Sequence, residues 1–258
     1  MIDIHSHILP GIDDGAKTLD DTIEMLKIAR NNGIKKIIAT PHFYRGYYEN
    51  KFEDICKLTE EISGKVKEQG LDIEIIFGQE IFLDNHTLDH YKEGIIKGIN
   101  NTKYMLIEFP MQDMPKNALD TMYELRLQGI VPVVAHPERY SYIIEKPSVI
   151  NNFIEEGCLF QINSGSIEGH FGKRVQKTSE ILISHGICHF IGSDAHSVNR
   201  RSPKIKNALD IAGKLSNGMD KSVMENVELL LNNEEIKKKP EKIKEKKSIF
   251  DFLKRKVK

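Results

Sequence analysis

The sequence predicts an α/β fold, a (β/α) barrel that is closed or nearly closed. Three observations point to it. Short β-branched runs alternate with longer amphipathic segments, glycine ends nearly every helical segment, and most apolar runs finish on a histidine or a carboxylate. Strands joined by helix-length crossovers pair in parallel, and parallel barrels carry function at the C-terminal ends of their strands. The chain has 258 residues, and one-domain barrels of about 250 residues are common.

Seven strands are expected, at 2–5, 34–40, 73–78, 103–108, 130–135, 158–163 and 187–193. After the first, Thr18-Leu19-Asp20-Asp21 reads as a capping box, in which the Thr and Asp side chains satisfy free N–H groups at the helix start. Ile23, Leu26 and Ala29 continue the apolar face until Gly33 stops it. Phe52, Ile55, Thr59, Ile62 and Val66 repeat the pattern before Gly70, and Ala118, Leu119, Met122 and Leu125 do so before Gly129. Ile181 and Leu182 precede Gly186 in the same way. No eighth strand is visible. Residues 203–231 read as two further helices, with Leu209, Ile211 and Ala212 on the first and Val223, Val227 and Leu230 on the second. The expected organisation is one barrel domain over 1–232 followed by a basic tail over 233–258.

The composition, 40% hydrophobic and 29% charged, is that of a globular protein with a sizeable core. No apolar stretch approaches the roughly 18 to 20 residues of a membrane span, and the N-terminus enters a strand without a signal-peptide pattern, so the expected location is the cytoplasm. Three widely spaced cysteines, at 56, 158 and 188, fit reduced core residues better than a disulfide framework or a zinc knot. The net charge of −1 conceals an asymmetry. Residues 236–258 hold 11 Lys/Arg against 3 Asp/Glu, a local +8, which leaves 26 − 35 = −9 on the rest. An acidic body argues against extended contact with a phosphate backbone, so no stable nucleic-acid partner is expected. In the tail, Ser248-Ile249-Phe250-Asp251 resembles a capping box, with Phe252 and Leu253 beside Lys254, Arg255, Lys256 and Lys258. That pattern suits peripheral contact with an anionic membrane; the alternative is a solubilising charge run.

The strand ends carry the chemistry. The first finishes on His5 and His7, the second on His42, the third on Glu80, the fourth on Glu108, the fifth on His136, and the seventh on Asp194 and His196; Asp14 lies in the loop after the first. A single histidine or glutamate in such a place is ordinarily a hydrogen-bonded structural residue. Their coincidence at one end of six strands is different, because carboxylates gathered in a barrel mouth repel one another and divalent cations remove that cost. Nitrogen and oxygen donors without thiolate suit Mn²⁺, Fe²⁺ or Zn²⁺. His86 and His90 are four residues apart but lack the glutamate of an H-E-x-x-H helix and read as a solvated face. Arg139, three residues after His136, falls at the same rim. Arginine matches the two-point geometry of phosphate oxygens, whereas a surface salt bridge is the plainer reading of Arg139 and Arg201. Thiol-based phosphate chemistry needs C-x5-R, and the residues six after the cysteines are Ile62, Ser164 and Asp194.

These motifs resemble those of the PHP (polymerase and histidinol phosphatase) superfamily, most closely its manganese-dependent bacterial protein-tyrosine phosphatases encoded with capsule or exopolysaccharide genes. The matching segments are Ile2-Asp3-Ile4-His5-Ser6-His7, Asp13-Asp14-Gly15, Thr40-Pro41-His42, Gly78-Gln79-Glu80, Leu106-Ile107-Glu108-Phe109, Val134-Ala135-His136-Pro137-Glu138-Arg139-Tyr140 and Ser193-Asp194-Ala195-His196. The resemblance implies a distorted, TIM-barrel-like (β/α)7 barrel holding three divalent ions, Mn²⁺ foremost. It places one ion on His5, His7, Glu80 and Asp194, a second on Asp14, His42 and His196, and a third on Glu80, Glu108 and His136, with Glu80 bridging. Arg139 and Arg201 become the catalytic residues that hold the substrate phosphate. The implied reaction is hydrolysis of phosphotyrosine by metal-activated hydroxide, on a membrane-associated tyrosine kinase that regulates polysaccharide synthesis. Asp14 and Glu108 stand where many superfamily members have histidine, which is typical of the tyrosine-phosphatase branch and speaks against histidinol phosphate. Phe43, Tyr44, Tyr47 and Tyr48 could stack on the phosphotyrosine ring or simply cover a loop. Asn163-Ser164-Gly165-Ser166 after the sixth strand could add polar contacts. Open alternatives are a small-molecule phosphatase or a 3′ exonuclease of the superfamily, and a non-catalytic kinase-binding module whose metals only hold the barrel together.

Overall fold

The computed structural model describes residues 1–237 and 240–244. All seven expected strands form, together with three short ones that periodicity did not reveal. In chain order they are β1 (Ile2–Ser6), β2 (Lys36–Ala39), β3 (His42–Tyr44), β4 (Tyr48–Glu49), β5 (Glu74–Phe77), β6 (Glu80–Phe82), β7 (Tyr104–Glu108), β8 (Val131–Ala135), β9 (Leu159–Asn163) and β10 (Phe190–Gly192). His42 and Glu80 therefore open new strands instead of ending the second and third. The second run breaks at Pro41, which has no N–H to give to a ladder. The third breaks at Gly78, where a Cβ would meet the Thr40 methyl at 3.2 Å and Ile38 at 3.3 Å.

Two sheets result, β1-β2-β5 and β10-β9-β8-β7-β6-β3-β4, parallel throughout except for the β3–β4 hairpin. Since β2 runs on into β3 and β5 into β6, the two sheets are halves of one circuit. It returns to β1 beyond β10, where Asp194 N–H donates to the His5 carbonyl and His7 N–H to that of Ala195, each at 2.8 Å. The seam between first and last strand thus falls among the candidate site residues.

Side chains alternate along strands, and the alternation sorts the interior into layers. Tyr104 and Leu106 of β7, Val133 and Ala135 of β8, Leu159 of β9 and Phe190 of β10 share one buried apolar cluster. Two residues further along the same faces stand Glu108 on β7 and, in turn, Gln161 and Asn163 on β9. The base of the sheet is greasy and its mouth polar. Helices pack the outer face: Leu19–Asn31 begins with the expected Thr18–Asp21 capping box, and Phe52–Glu68, Lys173–Ser184 and Lys206–Leu215 follow. Met219–Leu231, the second of the two late helices, instead sends Val227 and Leu230 into the apolar cluster at the base. Among the described residues no helix is long and apolar enough to cross a membrane.

After the last helix the chain runs across the base. Asn233 Oδ1 accepts from Lys103 N–H at 2.9 Å, and the Tyr104 hydroxyl donates to the Glu234 carbonyl. Asn151 and Ile243 exchange two bonds of 2.9 Å, and Glu241 N–H reaches the His185 carbonyl at 2.9 Å. The tail motif from Ser248 to Lys258 lies outside the described residues.

The Asp13–Gly15 loop packs without clearance on His7, and a Cβ at Gly15 would sit 2.0 Å from the His7 carbonyl oxygen. Gly15→Ala is therefore expected to destabilise the fold by about 1–3 kcal/mol or more. Urea denaturation measures it; a loss below about 0.5 kcal/mol, the range of neutral surface changes, would show that the loop is free to move.

Candidate metal centre

Seven of the nine predicted ligand residues come from the C-terminal ends of strands or the loops beyond them, and His42 and Glu80 from the first positions of β3 and β6. β1 delivers His5 and His7 to one side by alternation, and the β3–β6–β7 pairing sets His42 opposite Glu80 and Phe82 opposite Glu108. His136 follows β8 and Asp194 follows β10, both with left-handed backbone, φ 32° and 53°. This conformation is uncommon outside glycine and costs energy that the surroundings must supply. It turns both side chains into the mouth.

Glu80 is the hub. Its Oε2 lies 3.1 Å from His5 Nε2, 3.1 Å from His7 Nε2 and 3.3 Å from His42 Nδ1, and its Oε1 lies 2.9 Å from His136 Nε2. Asp194 Oδ1 is 3.6 Å from both His5 and His7 Nε2. Asp14 Oδ1 sits 3.5 Å from His42 Nε2 and 3.3 Å from His196 Nε2. Donor atoms converge in three groups that could each hold an ion: His5, His7, Glu80 and Asp194; His7, Asp14, His42 and His196; and His42, Glu80 and Glu108. The first two contain the expected sets. In the third His42 takes the place expected for His136, whose Nε2 lies 3.7 Å from Glu108 Oε1.

Hydrogen bonding fixes which ring nitrogens face inward. The Asp194 carboxylate can only accept, so Asn163 presents its amide nitrogen, Nδ2 to Oδ2, at 2.6 Å. Asn163 Oδ1 then accepts from Gln161 Nε2 at 2.8 Å, and Gln161 Oε1 must accept from His5 Nδ1 at 2.9 Å. His7 Nδ1 likewise donates to Asp13 Oδ2 at 2.8 Å, a carboxylate that also accepts from the Gly15 and His42 backbone. With both Nδ1 atoms protonated, the neutral rings aim two lone pairs at each other across 3.2 Å, alongside Glu80 and Asp194. Asp194 Oδ1 is buried with no hydrogen-bond partner. Four buried electron-pair donors facing one another are satisfied by a cation.

The electrostatics agree. Burial lowers the affinity of His5 for a proton, but Glu80 and Asp194 outweigh it and hold the ring above the ordinary histidine range. For His7, Asp13 and Glu80 do the same more strongly. Burial raises Glu80 and Asp194, yet their basic neighbours, His5 above all, keep both below the usual carboxylate range. Glu108 goes the other way, driven well up by burial and then by the charges of Glu80 and Asp194. Burial brings His136 down to about 4, against its bond to Glu80. The mouth demands positive charge, and protons compete with metal ions to provide it.

Arg139 and Arg201 both reach this centre. Nη1 of Arg139 lies 3.1 Å and Nη2 of Arg201 2.5 Å from Asp194 Oδ2. Among the aromatics, Phe43 is buried against His90 and Tyr48 stacks on His42, whereas Tyr44 is sandwiched between Tyr47 and Phe82. His86 is exposed. Cys56, Cys158 and Cys188 form no disulfide with one another and belong to none of the three donor groups. Sequence reading missed Asp13 and Gln161 as supports and singled out Asn163 for polar contacts without its place beside Asp194. The signal was there: Gln161 and Asn163 are the only amides on an otherwise apolar strand, two residues apart and so on one face.

A parallel-stranded barrel-like fold with buried histidines and carboxylates at its mouth defines the class of TIM-barrel-like metallohydrolases. Within it, the chain belongs to the capsular polysaccharide synthesis CpsB/CapC family, whose sequence model matches residues 1–236. It is 37% identical to the tyrosine-protein phosphatase YwqE of Bacillus subtilis over 254 residues, 98% of this chain and 100% of that one. To the tyrosine-protein phosphatase CpsB of Streptococcus agalactiae it is 32% identical over 218 residues, covering 82% and 89%. A crystal structure described as that of YwqE and Streptococcus pneumoniae CpsB, unique metal-dependent tyrosine phosphatases, superposes with a TM-score of 0.90 at 38% identity, covering 95% of this chain and 100% of the other. A histidinol phosphate phosphatase from Lactococcus lactis shares the fold, with a TM-score of 0.54 at 11% identity over 85% and 94% of the two chains.

Gln161→Met keeps the bulk but frees the His5 tautomer. Expected is a folded protein that binds divalent metal roughly 10- to 100-fold more weakly, read by titration against a chelating dye. Unchanged affinity would remove Gln161 from the support of the site.

Proposed function

We propose that this chain is a metal-dependent protein-tyrosine phosphatase acting on a phosphoprotein of the capsular or extracellular polysaccharide machinery, with a membrane-associated tyrosine kinase as the expected substrate. One observation carries the reading: two arginines meet on a single carboxylate oxygen of Asp194, at the rim of a cluster built for cations. We assign as metal ligands His5, His7, Asp14, His42, Glu80, Glu108, His136, Asp194 and His196, holding three divalent ions with Mn²⁺ foremost and Fe²⁺ or Zn²⁺ as alternatives. When bound, such ions supply Lewis acidity toward phosphoryl oxygens and acidify water toward neutral pH.

The protein's own groups do the rest. Guanidinium carries five N–H donors in a plane, so Arg139, anchored on Asp194 through Nη1, and Arg201, anchored through Nη2 and through Nε to the Asp194 carbonyl, each keep other N–H groups for phosphate oxygens. Arg139 and Arg201 are half-buried, which strengthens their pull on a dianion. Asp194 holds them against each other's repulsion. The tyrosyl oxygen leaves as a phenolate whose conjugate acid has a pKa near 10, which lessens the need for a protein acid at the leaving group. Tyr47, 72% exposed and stacked on Tyr44, offers an apolar wall for an aryl ring.

Residues 1–232 are read as the catalytic body and 233–258 as a basic extension suited to an anionic membrane surface. Three cysteines without disulfides suit a reducing compartment, and the proposed location is the cytoplasm.

The test incubates purified protein with a phosphotyrosine peptide, a phosphoserine peptide, histidinol phosphate and single-stranded DNA, with Mn²⁺ or with chelator. Phosphotyrosine turnover should dominate, vanish with chelator and vanish in His136→Ala. Arg201→Ala should lower kcat/KM by about 10²–10³-fold. Activity that survives chelation contradicts the reading. Preference for histidinol phosphate or DNA shifts it to another branch of the superfamily, and metal binding without any turnover leaves a regulatory module.

A further inference from the structure

Beside the arginines opens a second cavity of about 300 Å³. It shares walls with the metal centre. Arg201 lines it while its guanidinium rests on Asp194, and Phe171 lines it while its ring lies 4.8 Å beneath the Arg139 guanidinium. A ligand whose phosphate sits on Arg139 and Arg201 would pass its neighbouring atoms into this space.

The charge of the lining is one-sided. Arg200, Arg201 and Lys204 face a single carboxylate, Glu168, which already pairs with His170 at 3.4 Å. Arg200 and Lys204 are exposed and have no acidic partner among the described residues. Unpaired cations lining a concave wall focus potential into it and attract anionic groups. They stand in a body that is otherwise strongly acidic.

We propose that this cavity is a specificity subsite that receives an acidic side chain, Asp or Glu, close in sequence to the phosphotyrosine of the substrate. The inference rests on the tyrosine-phosphatase reading. On that reading the substrate phosphate takes Arg139 and Arg201 at the metal centre, which leaves Arg200 and Lys204 for a second negative group. Successive residues of an extended peptide are about 3.3–3.6 Å apart, which brings a neighbouring side chain within reach. Pairing with solvent-accessible arginine and lysine is worth a modest factor in rate and depends on salt, since charges are screened over about 10 Å at 0.1 M ionic strength.

The experiment compares, on the Mn²⁺-loaded full chain, a phosphotyrosine peptide flanked by Asp and Glu with one flanked by Asn and Gln. The acidic peptide should show a kcat/KM roughly 5-fold higher at low salt, with the advantage shrinking as salt rises. In Arg200→Gln/Lys204→Gln the ratio should fall to about unity. In Lys204→Glu it should invert in favour of a lysine-flanked peptide, a result that only a folded, active enzyme can give. Equal turnover of both peptides by the unaltered protein overturns the subsite and leaves the phosphatase reading standing. Turnover of neither overturns both.

Discussion

Everything at the mouth of this barrel is arranged around one buried carboxylate. Glu80 meets four imidazoles at 2.9–3.3 Å while being about 1% exposed. An isolated anion there would be intolerable, and the surrounding rings are neutral donors unless protonated. The backbone is bent to bring this about. The breaks at Pro41 and Gly78 re-aim two strands so that His42 and Glu80 become register partners, and the left-handed turns at His136 and Asp194 swing two more groups inward. Two left-handed turns and the four-imidazole carboxylate thus meet where a cation can relieve them, above a base of apolar packing.

The layered interior separates two tasks that often conflict. Tyr104, Leu106, Val133, Leu159 and Phe190 bury apolar surface at the base, where burial contributes about 25 cal/mol per Å². The polar layer above contributes little to cohesion until its charges are balanced. Binding of metal to the folded form alone would add to stability by mass action, so the functional layer draws support from its ligand and the structural layer does not need it. Arg139 and Arg201 follow the same logic, since Asp194 balances their charge until substrate supplies another anion.

Much of this was legible in the sequence. The seven longer strand runs and the helix stops at glycine follow from periodicity, and the nine candidate ligands were picked out as polar residues at or just beyond the ends of apolar runs. Three features were hidden, each for a physical reason. The short strands β3 and β6 carry too few residues to show a period. The supports Gln161 and Asn163 sit inside a strand, where an amide reads as a lapse in an apolar run until its partners on β1 and after β10 are known. Which histidine joins Glu80 and Glu108 depends on ring rotation and on a left-handed turn at His136, neither of which residue identity determines. Of the aromatics after Pro41, Phe43 and Tyr48 have packing contacts within the fold, and Phe82, from a strand not foreseen, completes the stack with Tyr44.

The path of the chain after its last helix bears on how the molecule can be mounted. Asn233 and Tyr104 hold it at the N-terminal end of a strand, opposite the metal centre, and the Asn151–Ile243 pair fastens it to the helix Ile150–Glu155. The residues described beyond the last helix therefore leave the reactive opening clear. A label or crosslinker placed on them reports on the back of the molecule without touching the groups that meet at the mouth.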